Sequence, residues 1–130
     1  MSIFSKIISG EIPAHKVAET ADFLAFLDIN PLVEGHVLVI PKKEVDYIFD
    51  IDDETYAGLM IFVKIVAEGV KKAIPCKKVG VSVIGLEVPH AHVHLIPMNA
   101  VSDMNFSREK LNPSVEQLAE TAQKIRAALS

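Results

Sequence analysis

Four short apolar segments at the start of the chain predict one helical turn and three strands: residues 3–8 as the turn, and residues 17–20, 23–27 and 37–40 as the strands. Gly10 ends the helical turn, and Ala21-Asp22 provides a tight turn between the first two strands. Gly35 leads into the third strand and Pro41 stops it. The first third of the chain therefore predicts sheet with one short helical element.

A long amphipathic helix is predicted next, from a cap at Asp52 or Asp53 to about Ile74, just before Pro75. Its apolar face follows the helical period through Tyr56, Leu59, Met60, Val63, Val66, Ala67, Val70 and Ile74. Three further apolar residues, Ile61, Phe62 and Ile65, widen this face beyond what one sheet needs to cover. The pattern leaves two explanations open: deep burial in one core, or a second helix from a partner subunit.

The second half of the chain predicts two more strands and a last helix. Residues 79–83 alternate as a strand does, and residues 90–96 form a further strand that Pro97 ends. Residues 99–112 predict an irregular surface stretch. Ser114 and Gln117 form a capping box for the last helix, whose buried stripe is Val115, Leu118, Ala122, Ile125 and Leu129. Strands without regular helical crossovers predict an α+β fold, an antiparallel sheet with helices on one side, in a single domain over residues 1–130.

Composition and charge narrow the classes of function. The chain has 130 residues, 50% of which are hydrophobic, and a net charge of −4. This negative charge does not favour binding to the phosphate backbone of a nucleic acid. Cys76 is the only cysteine, so no internal disulfide can form and a cytoplasmic location is expected. No apolar run approaches the roughly 20 residues of a membrane span. We therefore expect neither nucleic acid nor a membrane as partner.

The segment His90-Ala91-His92-Val93-His94 carries the strongest chemical signal. Side chains alternate along a strand, so the three histidines share one face while Ala91, Val93 and Leu95 enter the core. Such a row supports two chemistries. Neutral imidazoles can bind a metal together, with Glu87 as a possible carboxylate ligand. Alternatively, one imidazole can attack phosphorus while its neighbours donate hydrogen bonds to the charged oxygens.

The sequence from His90 to Ile96 resembles the His-φ-His-φ-His-φ-φ signature of the histidine-triad (HIT) family, where φ is hydrophobic. The resemblance extends over residues 3–98, through residues 3–13, 23–31 and 35–42, and the branch of histidine-triad nucleotide-binding proteins is the most similar. It implies a five-stranded antiparallel sheet, with a homodimer formed through the long helix and a continued sheet. It also implies hydrolysis of purine nucleoside phosphoramidates, or of related AMP or GMP derivatives, with no cofactor.

The same resemblance implies roles for individual residues. His92 would be the nucleophile that carries the nucleotide, His94 and His36 would line the phosphate and leaving-group side, and His90 would orient the row. Asp28 would accept hydrogen bonds from the ribose. The base would lie among the apolar side chains of Ile3, Phe4, Ile7, Phe26 and Ile29.

Two departures from the family pattern affect these expectations. Several relatives hold zinc with a Cys-x-x-Cys near the N-terminus, where this chain has Ser2 and Ser5, so we expect no metal site. The loop before the triad usually supplies an Asn and a Gly-Gln pair to the phosphate, whereas Gly85 is followed here by Leu86 and Glu87. Gly85 and Glu87 are the candidate phosphate-side residues of this shorter loop. A metal-dependent hydrolase and a nucleotide-binding regulatory module with little turnover are the two alternative functions.

Overall fold

The computed structural model describes residues 1–130, and three helices and five strands form its framework. In chain order they are α1 (Ile3–Ser9), β1 (Lys16–Glu19), β2 (Phe23–Leu27), β3 (Val37–Pro41), α2 (Asp53–Ala73), β4 (Lys78–Ser82), β5 (Val93–Met98) and α3 (Val115–Leu129). Two short 3-10 helices, Ile48–Asp50 and Val101–Met104, lie in the connections. None of the helices is both long enough and apolar enough to span a bilayer.

The five strands form one antiparallel sheet in the order β1-β2-β3-β5-β4. The strand that carries the histidine motif, β5, is therefore interior, between β3 and β4. The α+β class and the five-stranded antiparallel sheet predicted from the sequence are confirmed.

The two faces of the sheet carry separate apolar clusters. On one face, α2 and α3 pack over the main core, which contains the odd-numbered residues of β2, β3 and β5. On the opposite face, Phe4 and Ile7 of α1 pack on the even-numbered residues of β2 and β3. The expectation that all helices lie on one side was wrong for α1, because its own apolar pair covers the second face of these fully buried strands.

The helix boundaries follow the capping residues. The Asp52 carboxylate accepts a hydrogen bond from the Thr55 N–H at 3.1 Å and starts α2. Ser114 and Gln117 form the predicted capping box of α3. Val115, which was expected in the buried stripe of this helix, is 68% exposed, because it lies in the first turn and the buried residues begin at Leu118. Gly10 ends α1 in the left-handed conformation, with φ of 87°. These local signals suffice because each satisfies N–H or C=O groups that a helix end leaves free.

The broad apolar arc of α2 is explained partly by burial in the core of the chain, while other residues remain exposed for contact with a partner subunit. Phe62 is 7% exposed and stacks on Phe23 with ring centroids 5.7 Å apart, so deep burial accounts for it. Ile61 and Ile65 are 63% and 52% exposed, and nothing within the chain covers them. Ile61 and Ile65 are thus the exposed residues of the arc that a partner could cover.

Several strand boundaries differ from the expectation, and β1 and β4 each lie one residue earlier than predicted, at Lys16–Glu19 and Lys78–Ser82. β5 begins at Val93 rather than at residue 90, and it continues through Pro97 to Met98. Pairing with β3 ends at Leu95, so the missing N–H of Pro97 removes no bond to that strand. β3 likewise includes Pro41, opposite Phe23.

Candidate active site

The chain before β5 is held by specific hydrogen bonds rather than by a regular ladder. The His90 N–H donates to the Val88 carbonyl at 2.8 Å, which bends the chain after Pro89. The Ala91 N–H then donates to the Val45 carbonyl at 2.7 Å. Ala91, Val93 and Leu95 are buried in the main core, as the alternation predicted. The histidine side chains consequently lie on the α1 face of the sheet, where Phe4 contacts both His90 and His92 edge-on.

The His92 ring is oriented with one nitrogen free. Its Nδ1 lies 2.8 Å from the His90 carbonyl oxygen, and a carbonyl can only accept, so Nδ1 carries the proton. Nε2 therefore holds a lone pair. This atom has no hydrogen-bond partner. Every fully buried side-chain nitrogen in the structure has a partner, so Nε2 of His92 must be accessible to solvent. The geometry is that of a neutral imidazole ready to act as a nucleophile or ligand through Nε2.

A second hydrogen-bonded chain fixes His36 and His94. The Leu32 N–H donates to His36 Nδ1 at 3.1 Å, so the proton of neutral His36 is on Nε2. His36 Nε2 lies 2.9 Å from His94 Nδ1 and donates to it. His94 therefore carries its own proton on Nε2. The His92 and His94 rings are adjacent, with centroids 5.0 Å apart, so the ring with the free lone pair and the ring with the N–H donor are neighbours.

Burial keeps His36 and His94 neutral. Loss of hydration lowers the pKa of His36 to about 3, with further lowering from nearby His94, Lys110 and His92. It also lowers the pKa of His94 to about 4, with a smaller effect of His92. His90 has a lowered pKa for the same main reason, opposed by the Pro41 carbonyl and Glu44. The tautomers deduced for His36 and His94 therefore hold at neutral pH.

Asp28 follows β2 and lies beside His36. Its Oδ1 accepts the Asn30 N–H at 2.9 Å, and its Oδ2 lies 3.9 Å from His36 Nε2. Burial raises the pKa of this carboxyl, against the Asn30 hydrogen bond and the charge of Lys110. Asp28 and His36 together border a cleft of about 410 Å³ between the turn after β2, residues 111–113 and α3.

The apolar residues assigned to the base divide into two groups. Phe4, Ile7 and Phe26 are buried together in the α1-side cluster, where the Phe4 and Phe26 rings meet edge-on at 5.6 Å. Ile3 and Ile29 are 50% and 59% exposed. Only the second group offers a free apolar surface, while the first group is part of a buried cluster.

Gly85 and Glu87 are not joined to the histidines. No hydrogen bond of the four histidines involves either residue. Gly85 has φ of 68° and borders an apolar cleft of about 400 Å³ with Tyr47, Phe49 and Met60. Glu87 is exposed.

Phe106 is a neighbour of the histidines that the sequence did not indicate. Its ring meets His94 edge-on with centroids 4.8 Å apart, and lies 6.2 Å from His36. The Arg108 guanidinium holds this segment through a 2.7 Å hydrogen bond to the carbonyl of Leu32, the residue whose N–H binds His36. An aromatic residue in a polar irregular stretch was the only available signal.

The donors near α1 do not fit the zinc site of the relatives. Ser2 Oγ and His90 Nδ1 are hydrogen-bonded to each other at 2.9 Å, and Ser5 Oγ donates to Glu44 at 2.7 Å. Hydroxyls replace the thiolates, and each is already engaged. A second group, Asp28, His36 and His94, brings three donor atoms within 4.8 Å. Two of these atoms share one proton, however, so a metal there would have to break the His36–His94 hydrogen bond.

Comparison with known proteins agrees with this fold. The HIT domain model matches residues 9–101. An uncharacterized HIT-like protein of Borreliella burgdorferi is 37% identical over 95% of this chain and 94% of its own length. A protein named adenosine 5'-monophosphoramidase from Schizosaccharomyces pombe is 42% identical over 73% of this chain and 72% of its own length.

Solved structures give the same result. A Hit-like protein of Bartonella henselae, crystallised with an unknown ligand, has a TM-score of 0.86 and 38% identity over 98% of this chain and 96% of its own. A zinc-bound histidine triad protein of Mycobacterium smegmatis has a TM-score of 0.80 and 28% identity, with 98% and 91% covered. The fold and the histidine site define a histidine-triad hydrolase. The chain belongs to the HIT family.

Proposed function

We propose that this enzyme hydrolyses purine nucleoside phosphoramidates, or related AMP or GMP derivatives, through a covalent nucleotidyl-His92 intermediate. The observation that carries the proposal is the free Nε2 of His92 beside the donor Nε2–H of His94. The similarity to the protein named adenosine 5'-monophosphoramidase supports the substrate class.

In the first step, His92 Nε2 attacks the α-phosphorus and forms a nitrogen–phosphorus bond. The bond between phosphorus and the substrate amine breaks, and the amine leaves after its nitrogen takes a proton from solvent. The His92 ring becomes positively charged, and its Nδ1–H···O=C hydrogen bond to His90 is charge-assisted. The His94 Nε2–H donates to the phosphoryl oxygens, where negative charge develops.

In the second step, water attacks the same phosphorus, a proton of the water passes to solvent, and the bond between phosphorus and His92 Nε2 breaks. The products are the nucleoside monophosphate and a neutral His92. Asp28 accepts hydrogen bonds from the ribose hydroxyls in both steps, while Ile3 and Ile29, supported by Phe4, Ile7 and Phe26, hold the base. The loop residues Gly85 and Glu87 flank the phosphate only if this segment moves toward the histidines on binding.

The test is rapid mixing with adenosine 5'-phosphoramidate, quenching in neutral denaturant and mass spectrometry of the peptides. We expect one added AMP group on the peptide that contains His92, assigned to that residue by fragmentation. Label on His94 instead would contradict the mechanism, and so would turnover with no label at any quench time. Enzyme treated with a chelator is the control, and loss of its activity would favour the metal-dependent alternative.

We also propose that two copies pair through α2 and β4 to form a homodimer with a continued sheet. β4 is an edge strand, and its Val81 is 52% exposed. Ile61 and Ile65 of α2 expose their side chains as well, and an uncovered apolar helix face beside an open strand edge fits a second copy related by a two-fold axis.

A further inference from the structure

Four polar residues from separate parts of the chain form one hydrogen-bonded cluster, here the Glu44 cluster: Ser2, Ser5, Glu44 and His90. The Glu44 carboxylate accepts the Ser2 N–H at 2.6 Å and the Ser5 hydroxyl at 2.7 Å. The Ser2 hydroxyl lies 2.9 Å from His90 Nδ1. The cluster thus joins the start of α1, the chain after β3 and the histidine segment.

The direction of each hydrogen bond follows from its end groups. His90 Nε2 lies 2.7 Å from the Pro41 carbonyl, so Nε2 carries the proton and Nδ1 of the neutral ring must accept. The Ser2 hydroxyl is therefore the donor to Nδ1, while its oxygen accepts the Ser5 N–H at 3.0 Å as the cap of α1. The Ser5 hydroxyl donates to Glu44, and the hydrogen bonds of Ser5 and Ser2 lower the pKa of the Glu44 carboxyl to about 2.

We propose that Glu44 is a positioning residue for the nucleophile, acting through Ser2, Ser5 and His90; this inference rests on the proposed function. The carboxylate holds both serines, and Ser2 then holds the His90 ring in one tautomer. The His90 carbonyl is the acceptor that keeps the proton of His92 on Nδ1. Glu44 thus acts on the lone pair of His92 Nε2 indirectly, through Ser2 and then His90.

A second connection runs through α1. Phe4 lies between Ser2 and Ser5 in sequence, and its ring meets the His92 ring edge-on with centroids 5.0 Å apart. When Glu44 releases the start of α1, both the carbonyl that binds Nδ1 and the aromatic ring that supports the imidazole lose their fixed positions. The cluster therefore joins the start of α1 to the histidine segment through hydroxyls and a carboxylate.

The experiment compares Glu44→Ala, Glu44→Gln and Asp52→Ala by steady-state kinetics with adenosine 5'-phosphoramidate. We expect Glu44→Ala to lower kcat about tenfold with KM within about twofold, as for a lost interaction that acts on the chemical step. Glu44→Gln retains an acceptor oxygen and should recover most of this loss. Asp52→Ala removes the cap of α2, whose side chain makes no hydrogen bond to a histidine or to the Glu44 cluster, and should lower Tm without changing kcat.

The second measurement does not depend on turnover. Long-range proton–nitrogen NMR spectra of the histidine rings report which nitrogen carries the proton. We expect His92 protonated on Nδ1 in the wild type and a mixture of tautomers in Glu44→Ala. If Glu44→Ala changes Tm alone, leaving kcat and the His92 tautomer as in the wild type, the cluster is only structural and the inference is wrong.

The two hypotheses fail in different ways. Absence of turnover in the wild type would refute the proposed function, while the NMR comparison would still decide the role of Glu44. Should Glu44→Ala not fold, Ser5→Ala is tested by the same two measurements, because it removes one bond to the carboxylate and keeps the Ser2 hydroxyl.

Discussion

His36 Nε2 donates a hydrogen bond to His94 Nδ1 over 2.9 Å, and this contact determines the direction in which His94 can donate. With Nδ1 engaged as acceptor, the His94 proton must lie on Nε2, on the side of His92. The orientation of the His36 ring is itself fixed by the hydrogen bond from the Leu32 N–H to its Nδ1. A backbone group in the loop before β3 thereby sets the tautomer of a residue on β5.

The neutral, buried state of His36 and His94 should make folding sensitive to acid. Below the usual histidine pKa of 6.5, the unfolded chain binds protons that the folded chain excludes until the pH nears 4 for His94 and 3 for His36. The free energy of unfolding should therefore decrease as the pH falls from about 6.5 to 4, by about 1.4 kcal/mol per pH unit for each histidine. Urea unfolding of the wild type and of His36→Gln between pH 7 and 5 checks this, and equal slopes would contradict it.

His92→Ala should abolish turnover and leave the protein folded. The imidazole supplies the only free lone pair among the three triad rings, and removal of a covalent nucleophile costs several orders of magnitude in kcat. The matched control is His15→Ala, since His15 lies outside the triad and its side chain makes no hydrogen bond. Initial rates and circular dichroism are compared for both variants. Turnover near the wild-type rate in His92→Ala would rule out the nucleophile.

Asp28→Ala should weaken selection of the sugar more than it slows the chemistry. A carboxylate that accepts from both vicinal hydroxyls forms two charge-assisted hydrogen bonds, each worth about 1.5–3 kcal/mol. Because the ribose is remote from phosphorus, KM should rise before kcat falls. The measurement is kcat/KM for ribose and 2'-deoxyribose substrates. The wild type should prefer ribose and Asp28→Ala should hardly distinguish them; equal discrimination by both would mean that Asp28 is only a turn residue.

Phe106→Ala should lower kcat/KM by about two- to tenfold, since edge-on aromatic contacts contribute about 0.5–1.5 kcal/mol and this one supports His94. Phe106→Leu should be milder because it keeps the apolar contact. Val101→Ala, an exposed position in the same connection between β5 and α3, is the control and should be silent. A Phe106→Ala enzyme as active as Val101→Ala would show that the ring does not support His94.

Ile65→Asp should convert the proposed dimer to monomers. The exposed Ile65 side chain would lie in the two-fold interface. The substitution therefore buries two uncompensated carboxylates, one from each subunit. Light scattering at micromolar concentration measures the mass, with Val115→Asp on the exposed part of α3 as the control. A wild-type monomer, or an unchanged dimer in Ile65→Asp, would exclude this face.

The sequence predicted features that depend on near neighbours. Asp52 and Ser114 cap helices within three residues of themselves, and the alternation at Val93 depends only on strand geometry. The start of β5 could not be predicted, because the Val45 carbonyl that binds Ala91 comes from a distant part of the chain. Phe106 was missed for the same reason, as Arg108 holds it to Leu32, which lies 76 residues earlier.

Because β5 is an interior strand, the part of the site that it carries is more stable than the segments that cover the site. The amide protons of His94 and Leu95 lie between two strands and should exchange with solvent only through near-global opening. α1 and the Phe106 segment, by contrast, each rest on a few side-chain anchors and can open locally. Mutations that alter substrate choice can therefore accumulate in these two covering segments, while the strand that bears the reacting imidazole retains its geometry.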